Sequence, residues 1–311
     1  MFNLQAERYM GLDCLRLSNE VVSLLVTTSL GPRILAFQLK DQENLFVELP
    51  EATLDCPGKG SLRMLGGHRL WHSPEQARRT YLPDDQALQV EEIDRGVKLT
   101  QPVEQETGIQ KSLKLLLPDD SATVVVDHTL NNQGMWPVEL APWAITMMKP
   151  GGTAILPLTT ALADLDGLLP NRHFVFWPYA DMSANFLQWG KENLFIHAVM
   201  QSGAFKIGYP NPRGWLGYWR AGTLFVKFAN YQQNEKYPDQ GSSTECYCNQ
   251  LFLEMETLGP LSQIEPGSSK THQEVWRVFP YEQFTADDIS IREIVEQLNL
   301  ENGFPFLLEE A

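Results

Sequence analysis

Basic charge is scarce in this chain: 24 lysines and arginines stand against 39 aspartates and glutamates, a formal net charge of −15. That deficit argues against a nucleic-acid partner, whose binding rests on cationic contacts to phosphate. Long apolar runs are missing as well. No stretch approaches the roughly 20 residues of a membrane span, so no membrane partner is expected. The first residues, Met1-Phe-Asn-Leu-Gln-Ala-Glu-Arg-Tyr9, contain no basic segment followed by an apolar run, and the expected location is the cytoplasm. Cysteine is limited to Cys14, Cys56, Cys246 and Cys248. Cys246 and Cys248 are too close for a zinc knuckle and awkward for a local disulfide, so reduced thiols are expected, with no metal and no cofactor. Internal repeats, low-complexity segments and linkers are also absent, which points to a single large domain.

What the chain does have is strand after strand. Short runs rich in Val, Ile, Leu, Phe and Thr recur from residues 21–28 to 272–279, broken by Leu30-Gly-Pro-Arg33, Pro118-Asp-Asp-Ser121, Lys149-Pro-Gly-Gly152 and Glu265-Pro-Gly-Ser268. Many short strands with turn signals at this spacing predict a mainly β protein, a sandwich or barrel. Helices are few and short. One is expected from about Ala286 to Leu298, capped by Thr285, with Ile289, Ile291, Ile294, Val295 and Leu298 as its apolar stripe. A second, shorter one is expected to start near Ser73-Pro74. Eight tryptophans, in a chain that is 10% aromatic, offer flat faces on which sugars stack.

Three segments could carry chemistry. In Gln250-Leu-Phe-Leu-Glu-Met-Glu-Thr-Leu-Gly-Pro260, strand alternation puts Leu251, Leu253 and Met255 on one face, expected in the core, and Gln250, Phe252, Glu254 and Glu256 on the other. Paired carboxylates beside an aromatic suit a sugar-binding or acid/base site, although an isolated Glu-x-Glu is more often a solvated face. In Met64-Leu-Gly-Gly-His-Arg-Leu-Trp-His-Ser-Pro-Glu75, two glycines allow a sharp turn or a close approach, and His68, Arg69, Trp71 and His72 follow at once. Arginine offers a fixed fork of donors, and histidine can act as donor, acceptor or acid. Pairing His68 with His72 on a metal needs a helix that the glycines and Pro74 oppose. In Asn211-Pro-Arg-Gly-Trp215, Arg213 and Trp215 are expected in a turn and exposed, while Asp239 of Tyr237-Pro-Asp is either a sugar contact or a turn former.

These segments together resemble the aldose 1-epimerase (galactose mutarotase-like) superfamily over roughly residues 10–280. The likeness rests on Leu253-Glu-Met-Glu-Thr257 followed by Leu258-Gly-Pro-Leu261, a Pro-Gly turn and a last strand. Leu30-Gly-Pro-Arg-Ile-Leu35 resembles the superfamily's opening hairpin. Gly66-Gly67-His68-Arg69 sits where its sugar-phosphate epimerases carry an Arg-Gly-Gly or His-Gly-Gly motif. The resemblance implies a β-supersandwich domain over 1–280, with 281–311 as a C-terminal helix and acidic tail. It also implies a small-molecule carbohydrate partner lying on a concave sheet. Glu256 would be the base that takes the anomeric proton, with Glu254 on the same face. The strand expected to supply the acid reads Glu139-Leu-Ala-Pro-Trp-Ala-Ile-Thr-Met-Met148 and holds no histidine, so His68 is the substitute acid, with His173 a further option. Arg69, Trp71, His72, Arg213, Trp215 and Asp239 would orient the ligand. The alternative is a sugar-binding protein without catalysis that has lost the acid histidine; a scaffold with no small ligand is the third reading. The sugar's identity and the oligomeric state are not legible at this level.

Overall fold

The computed structural model describes residues 1–56, 58–119 and 121–302. Two large antiparallel sheets face each other. The larger runs β1 (Asn3–Tyr9), β2 (Leu12–Ser18), β3 (Val22–Thr27), β4 (Arg33–Leu39), β6 (Gly60–Ser73), β11 (Val138–Met148), β20 (Leu253–Leu258), β19 (Thr244–Asn249), β16 (Ala204–Tyr209) and β13 (Val175–Phe176). To it are added β5 (Glu48–Cys56), paired with β6, and β21 (Ser262–Ile264), paired with β11. The smaller runs β14 (Leu187–Trp189), β15 (Asn193–His197), β12 (Thr153–Pro157), β17 (Trp215–Arg220), β18 (Thr223–Ala229), β22 (Ser269–Pro280), β10 (Thr123–Asn132), β9 (Ile109–Leu116), β8 (Gly96–Thr100) and β7 (Gln89–Ile93). The sandwich expected from the strand pattern is therefore what forms.

Alternation, broken once by a bulge in the β3–β4 pairing that puts Ile34 and Phe37 on one face, explains the core. Leu24, Val26, Ile34 and Phe37 of the larger sheet, and Leu113, Val124, Val126 and Phe225 of the smaller, all point inward and are buried. Phe37, Phe46, Phe225 and Trp276 pack edge-on or tilted between the sheets, with ring centroids 5.6–6.1 Å apart.

The two glycines of β6 do not open a ligand turn. They lie inside the strand with φ of +80° and +67°. A Cβ on Gly66 would meet the Val47 carbonyl oxygen at 1.9 Å, and one on Gly67 the Ile34 carbonyl oxygen at 2.3 Å. The close approach is that of neighbouring chain, which lets β6 pair with β5 and then with β4 and β11.

Among the described residues the helical segments are short: α1 (Ala77–Thr80), α2 (Pro238–Gly241), α3 (Asp288–Leu298) and a 3-10 turn at Leu300–Asn302. The α3 cap is Asp287 rather than Thr285: its side chain accepts from the backbone N–H groups of Ile289 and Ser290. Starting two residues later leaves Ile289 67% exposed, while Ile291 and Ile294 are buried against Trp215, Phe228 and Val275 of the smaller sheet. The acidic tail expected at the C-terminus lies, from residue 303, outside the described residues.

Candidate functional site

Five central strands of the larger sheet, β6, β11, β20, β19 and β16, build the site on their outer face. Register aligns two rows across it. Arg69, Ile145, Glu256 and Glu245 stand side by side, and next to them Met147, Glu254, Tyr247 and Lys206. The alternation that aims Leu253, Met255, Cys246, Phe205 and Ile207 into the core leaves these residues on the other side.

Glu256 is fully buried, and its Oε2 accepts from the Trp143 indole N–H at 2.6 Å and from Lys206 Nζ at 3.0 Å. Lys206 Nζ also lies 2.7 Å from Glu245 Oε2, a close ion pair. The ammonium sits 4.6 Å from the Trp143 ring centre and 4.7 Å from that of Trp177. Two carboxylates outweigh burial and hold the Lys206 pKa well above its ordinary value. Burial pushes the Glu245 carboxyl well up. Two buried oxygens here, Glu256 Oε1 and Glu245 Oε1, have no partner.

Glu254 differs from its neighbour. Burial, with the Glu256 charge adding, pushes its pKa up to about 8. Its oxygen is 4.0 Å from Arg69 Nη2, and its side chain keeps 14% exposure, the more accessible of the pair. Arg69 is fully buried with its guanidinium over Trp71, which packs against Tyr81 and Trp143 at 5.1 and 5.6 Å. Around the rim stand Tyr179, 48% exposed and edge-on to Tyr247, and Glu75, which accepts from the Tyr81 hydroxyl. Asp239 joins them, half-buried in the left-handed turn of α2, with Oδ2 3.4 Å from Ser73 Oγ.

The structure thus brings together Glu254, Glu256, Arg69, Trp71 and Asp239 among the residues singled out from the sequence. It does not bring His68 or His72 with them. In a strand that sends Arg69 and Trp71 outward, both histidines must point inward. His68 is fully buried, with Nδ1 2.8 Å from Thr146 Oγ1 and Nε2 2.7 Å from His128 Nε2, so the sheet itself separates it from Glu256. His72 is buried 3.8 Å from Glu104 on the same inner side. The proposed acid is therefore corrected: His68 belongs to the core. Arg213 and Trp215 are corrected too. Trp215 opens β17, 1% exposed among the residues that seat α3, and Arg213 stacks 5.4 Å over it while bonding to Glu301. His173 lies at the far side of the α2 turn, 3.3 Å from the Gln240 carbonyl.

On the inner face, His68, His128 and Glu274 place a nitrogen or oxygen within 4.8 Å of one another, a spacing that a metal could use. Their existing bonds already fill it. Lys227 Nζ donates to Thr146 Oγ1 and to the Met255 carbonyl, each at 3.1 Å, and pairs with Glu274 at 2.7 Å. The His68–His128 contact then continues to the His272 carbonyl at 3.0 Å. The Lys227 ammonium beside both rings opposes a second cation.

No family model matches the chain, and no curated protein matches it. Its fold does match solved structures. A candidate aldose 1-epimerase from Escherichia coli K12 aligns over 90% of this chain and 99% of that one, with a TM-score of 0.54 and 12% identity. Another from Klebsiella pneumoniae subsp. pneumoniae MGH 78578 aligns over 93% of this chain and 83% of that one, with a TM-score of 0.56 and 7% identity. A TPR-domain-containing protein from Parabacteroides distasonis ATCC 8503 aligns over 88% of this chain but 48% of that one, so this chain spans about half its length, with a TM-score of 0.59 and 12% identity. At such identities the likeness is one of fold, and the resemblance drawn from Glu254-Met-Glu-Thr257 holds at that level.

Proposed function

We propose that the protein binds a sugar on the outer face of the larger sheet and interconverts its anomers, with Glu256 as base and Glu254 as acid. The observation that carries this reading is the contrast between two carboxyl groups on one face of β20. Glu256 is paired with the Lys206 ammonium, while Glu254, with its pKa near 8, holds a proton at neutral pH. Groups whose surroundings push them apart in this way are what an acid/base reaction needs. Same-face neighbours in a strand lie roughly 7 Å apart, enough to bracket an anomeric carbon and its two oxygens. Glu256 would take the anomeric hydroxyl proton on its unpartnered Oε1 while Glu254 gives one to the ring oxygen. The ring opens, the carbonyl turns, and the reverse steps close it. Tyr179 and the part-exposed Tyr81, Trp177 and Tyr247 offer aromatic surface for the sugar, with Trp71 and Trp143 buried beneath, and Arg69 is a donor beside Glu254.

One observation favours the second reading, sugar binding without turnover. Trp143 and Lys206 both hold Glu256 Oε2, which weakens it as a base. Exchange NMR on a panel of aldoses separates the two. Catalysis predicts faster α/β exchange that falls at least about 100-fold in both Glu256→Gln and Glu254→Gln, the scale of a lost proton-transfer group. Sugar resonances that broaden with no faster exchange would leave binding alone. A panel untouched in either way would end both readings.

A further inference from the structure

We propose that this chain pairs with a second copy of itself through an apolar rim at the side where both sheets end. β13 closes the larger sheet and β14 the smaller, and each is only two or three residues long. The two edges adjoin, since Phe174, just before β13, packs edge-on against Trp189 of β14 at 5.2 Å. The loop that leads into β13 presents Leu162, Leu165, Leu168 and Leu169 to solvent, 61–100% exposed. Bonds within the loop hold it in this shape. Asp164 accepts from the backbone N–H groups of Leu168 and Leu169, Asn171 donates to the Ala161 carbonyl, and Arg172 donates to the carbonyls of Thr159 and Lys191. The bond to Lys191 ties the leucines to the β14–β15 turn, where Trp189 is 45% exposed. Asp288 accepts from the Lys191 and Glu192 N–H groups of that turn, which brings up Ile289, 67% exposed.

Large apolar side chains gathered in one place and left bare mark a docking surface. A stable dimer buries about 800 Å² on each partner, and six such side chains with the rim around them offer an area on that order. Charge points to the occupant. Asp166 and Lys191, both exposed at this rim, have no ion-pair partner among the described residues. One group of each sign suits a two-fold axis, about which Asp166 of either copy meets Lys191 of the other and the contact is made twice. A lipid surface fits less well. Anionic headgroups would face a chain of net charge −15, and the outer edges of β13 and β14 would find no backbone partner in hydrocarbon. In a second copy, open edges can supply each other's donors and acceptors. The repulsion between two acidic copies is long-ranged and screened by salt, whereas the apolar contact is not.

The test is sedimentation velocity on the full chain at about 10 μM and about 0.15 M salt, where a species of twice the mass of one chain is expected. Leu165→Ser combined with Leu168→Ser, at positions whose side chains face solvent, should weaken the dimer at least about tenfold while the chain stays folded. Asp166→Lys alone and Lys191→Asp alone should each weaken it too. Mixing those two variants should restore it, because both pairs across the axis are then of opposite sign again. Recovery on mixing separates a contact between copies from damage to either variant. A wild-type chain that stays monomeric, a dimer that survives the leucine changes, or charge variants that fail to recover on mixing would overturn the inference. A monomer that instead co-sediments with phosphatidylcholine vesicles would overturn it as well, and would assign the leucines to a lipid surface.

Discussion

Two polar clusters lie on opposite faces of the larger sheet: β6, β11 and β20 contribute to both by alternation, and β10, β18 and β22 of the smaller sheet complete the inner one. The inner one, His68, Thr146, Thr257, His128, His272, Lys227 and Glu274, lies between the sheets, and the outer one, Glu254, Glu256, Glu245, Lys206, Arg69 and Trp143, faces away from the core. Inside, Glu274 accepts from Lys227, from Thr257 and from the Trp276 indole at 2.7 Å, and none of the seven residues leaves a buried side-chain nitrogen or oxygen bare. Outside, Arg69 Nε and two carboxylate oxygens, Glu256 Oε1 and Glu245 Oε1, have no partner. Full satisfaction is what a structural network needs, and partial satisfaction is what a binding face shows before its ligand arrives. Buried polar groups alone would have marked both clusters as sites; the bare atoms separate them.

The largest break in that comparison should come from Lys227→Met. It strands the Glu274 carboxylate among buried groups and takes a donor from Thr146. Breaking a buried pair by removing one partner costs about 3–5 kcal/mol. Urea unfolding should show a loss of that size, and a loss below about 1 kcal/mol would mean the inner cluster is not what joins the sheets.

Acid and base should then tell the clusters apart by opposite slopes. Burial lowers the pKa of His128 and of His272 from 6.5 to about 3. A depressed histidine contributes stability that is present above about pH 6.5 and is lost as pH falls toward 3. Glu254 runs the other way: its pKa is raised from 4.5 to about 8, so its contribution is full below about pH 4.5 and is lost as pH rises toward 8. Melting curves across this range should show an acid limb that is shallower in His272→Gln and an alkaline limb that is shallower in Glu254→Gln. An alkaline limb unchanged in Glu254→Gln would remove the case for that residue as the acid.

Lys206→Met tests the outer cluster by the same operation as Lys227→Met, with a smaller expected effect of about 1–3 kcal/mol. Glu245, already pushed strongly toward its neutral form, can take up a proton once the ammonium is gone. The inner Glu274 is enclosed by both sheets. Equal losses in the two variants, measured side by side in urea, would erase the distinction between the faces.

Much of this was legible in the strands. Alternation placed Glu254 and Glu256 together with Phe252, and Leu253 and Met255 opposite, as the structure has them. Leu251 departs from the pattern: it lies in the turn before β20 begins at Leu253 and is 50% exposed rather than in the core. The same rule applied to His68-Arg-Leu-Trp-His72 separates the histidines from Arg69 and Trp71, although all four crowd into five residues. Lys206 was the residue missed. Phe205, Ile207 and Tyr209 mark it as outward-facing, but nothing local says that β16 lies two strands from β20, and only cross-strand register brings the ammonium to Glu256. Trp215 failed for the opposite reason: a turn position suggested exposure, and α3, which begins only at Asp288, covers it.

The finest test lies within one strand. Trp143 and Thr146 stand three residues apart on β11, facing opposite ways. Trp143→Phe removes the indole N–H from Glu256 Oε2 but keeps an aromatic ring under Lys206, whose own bond to that oxygen remains. The expected stability change is about 1 kcal/mol or less, a single hydrogen bond on a carboxylate that retains its counter-ion. The chemistry should respond more than the fold. With one donor fewer, Glu256 becomes the stronger base, so anomer exchange by this variant should rise or hold while Glu256→Gln loses it. A fall in exchange to the Glu256→Gln level, with the melting temperature unchanged, would mean the indole positions the carboxylate rather than restraining its basicity.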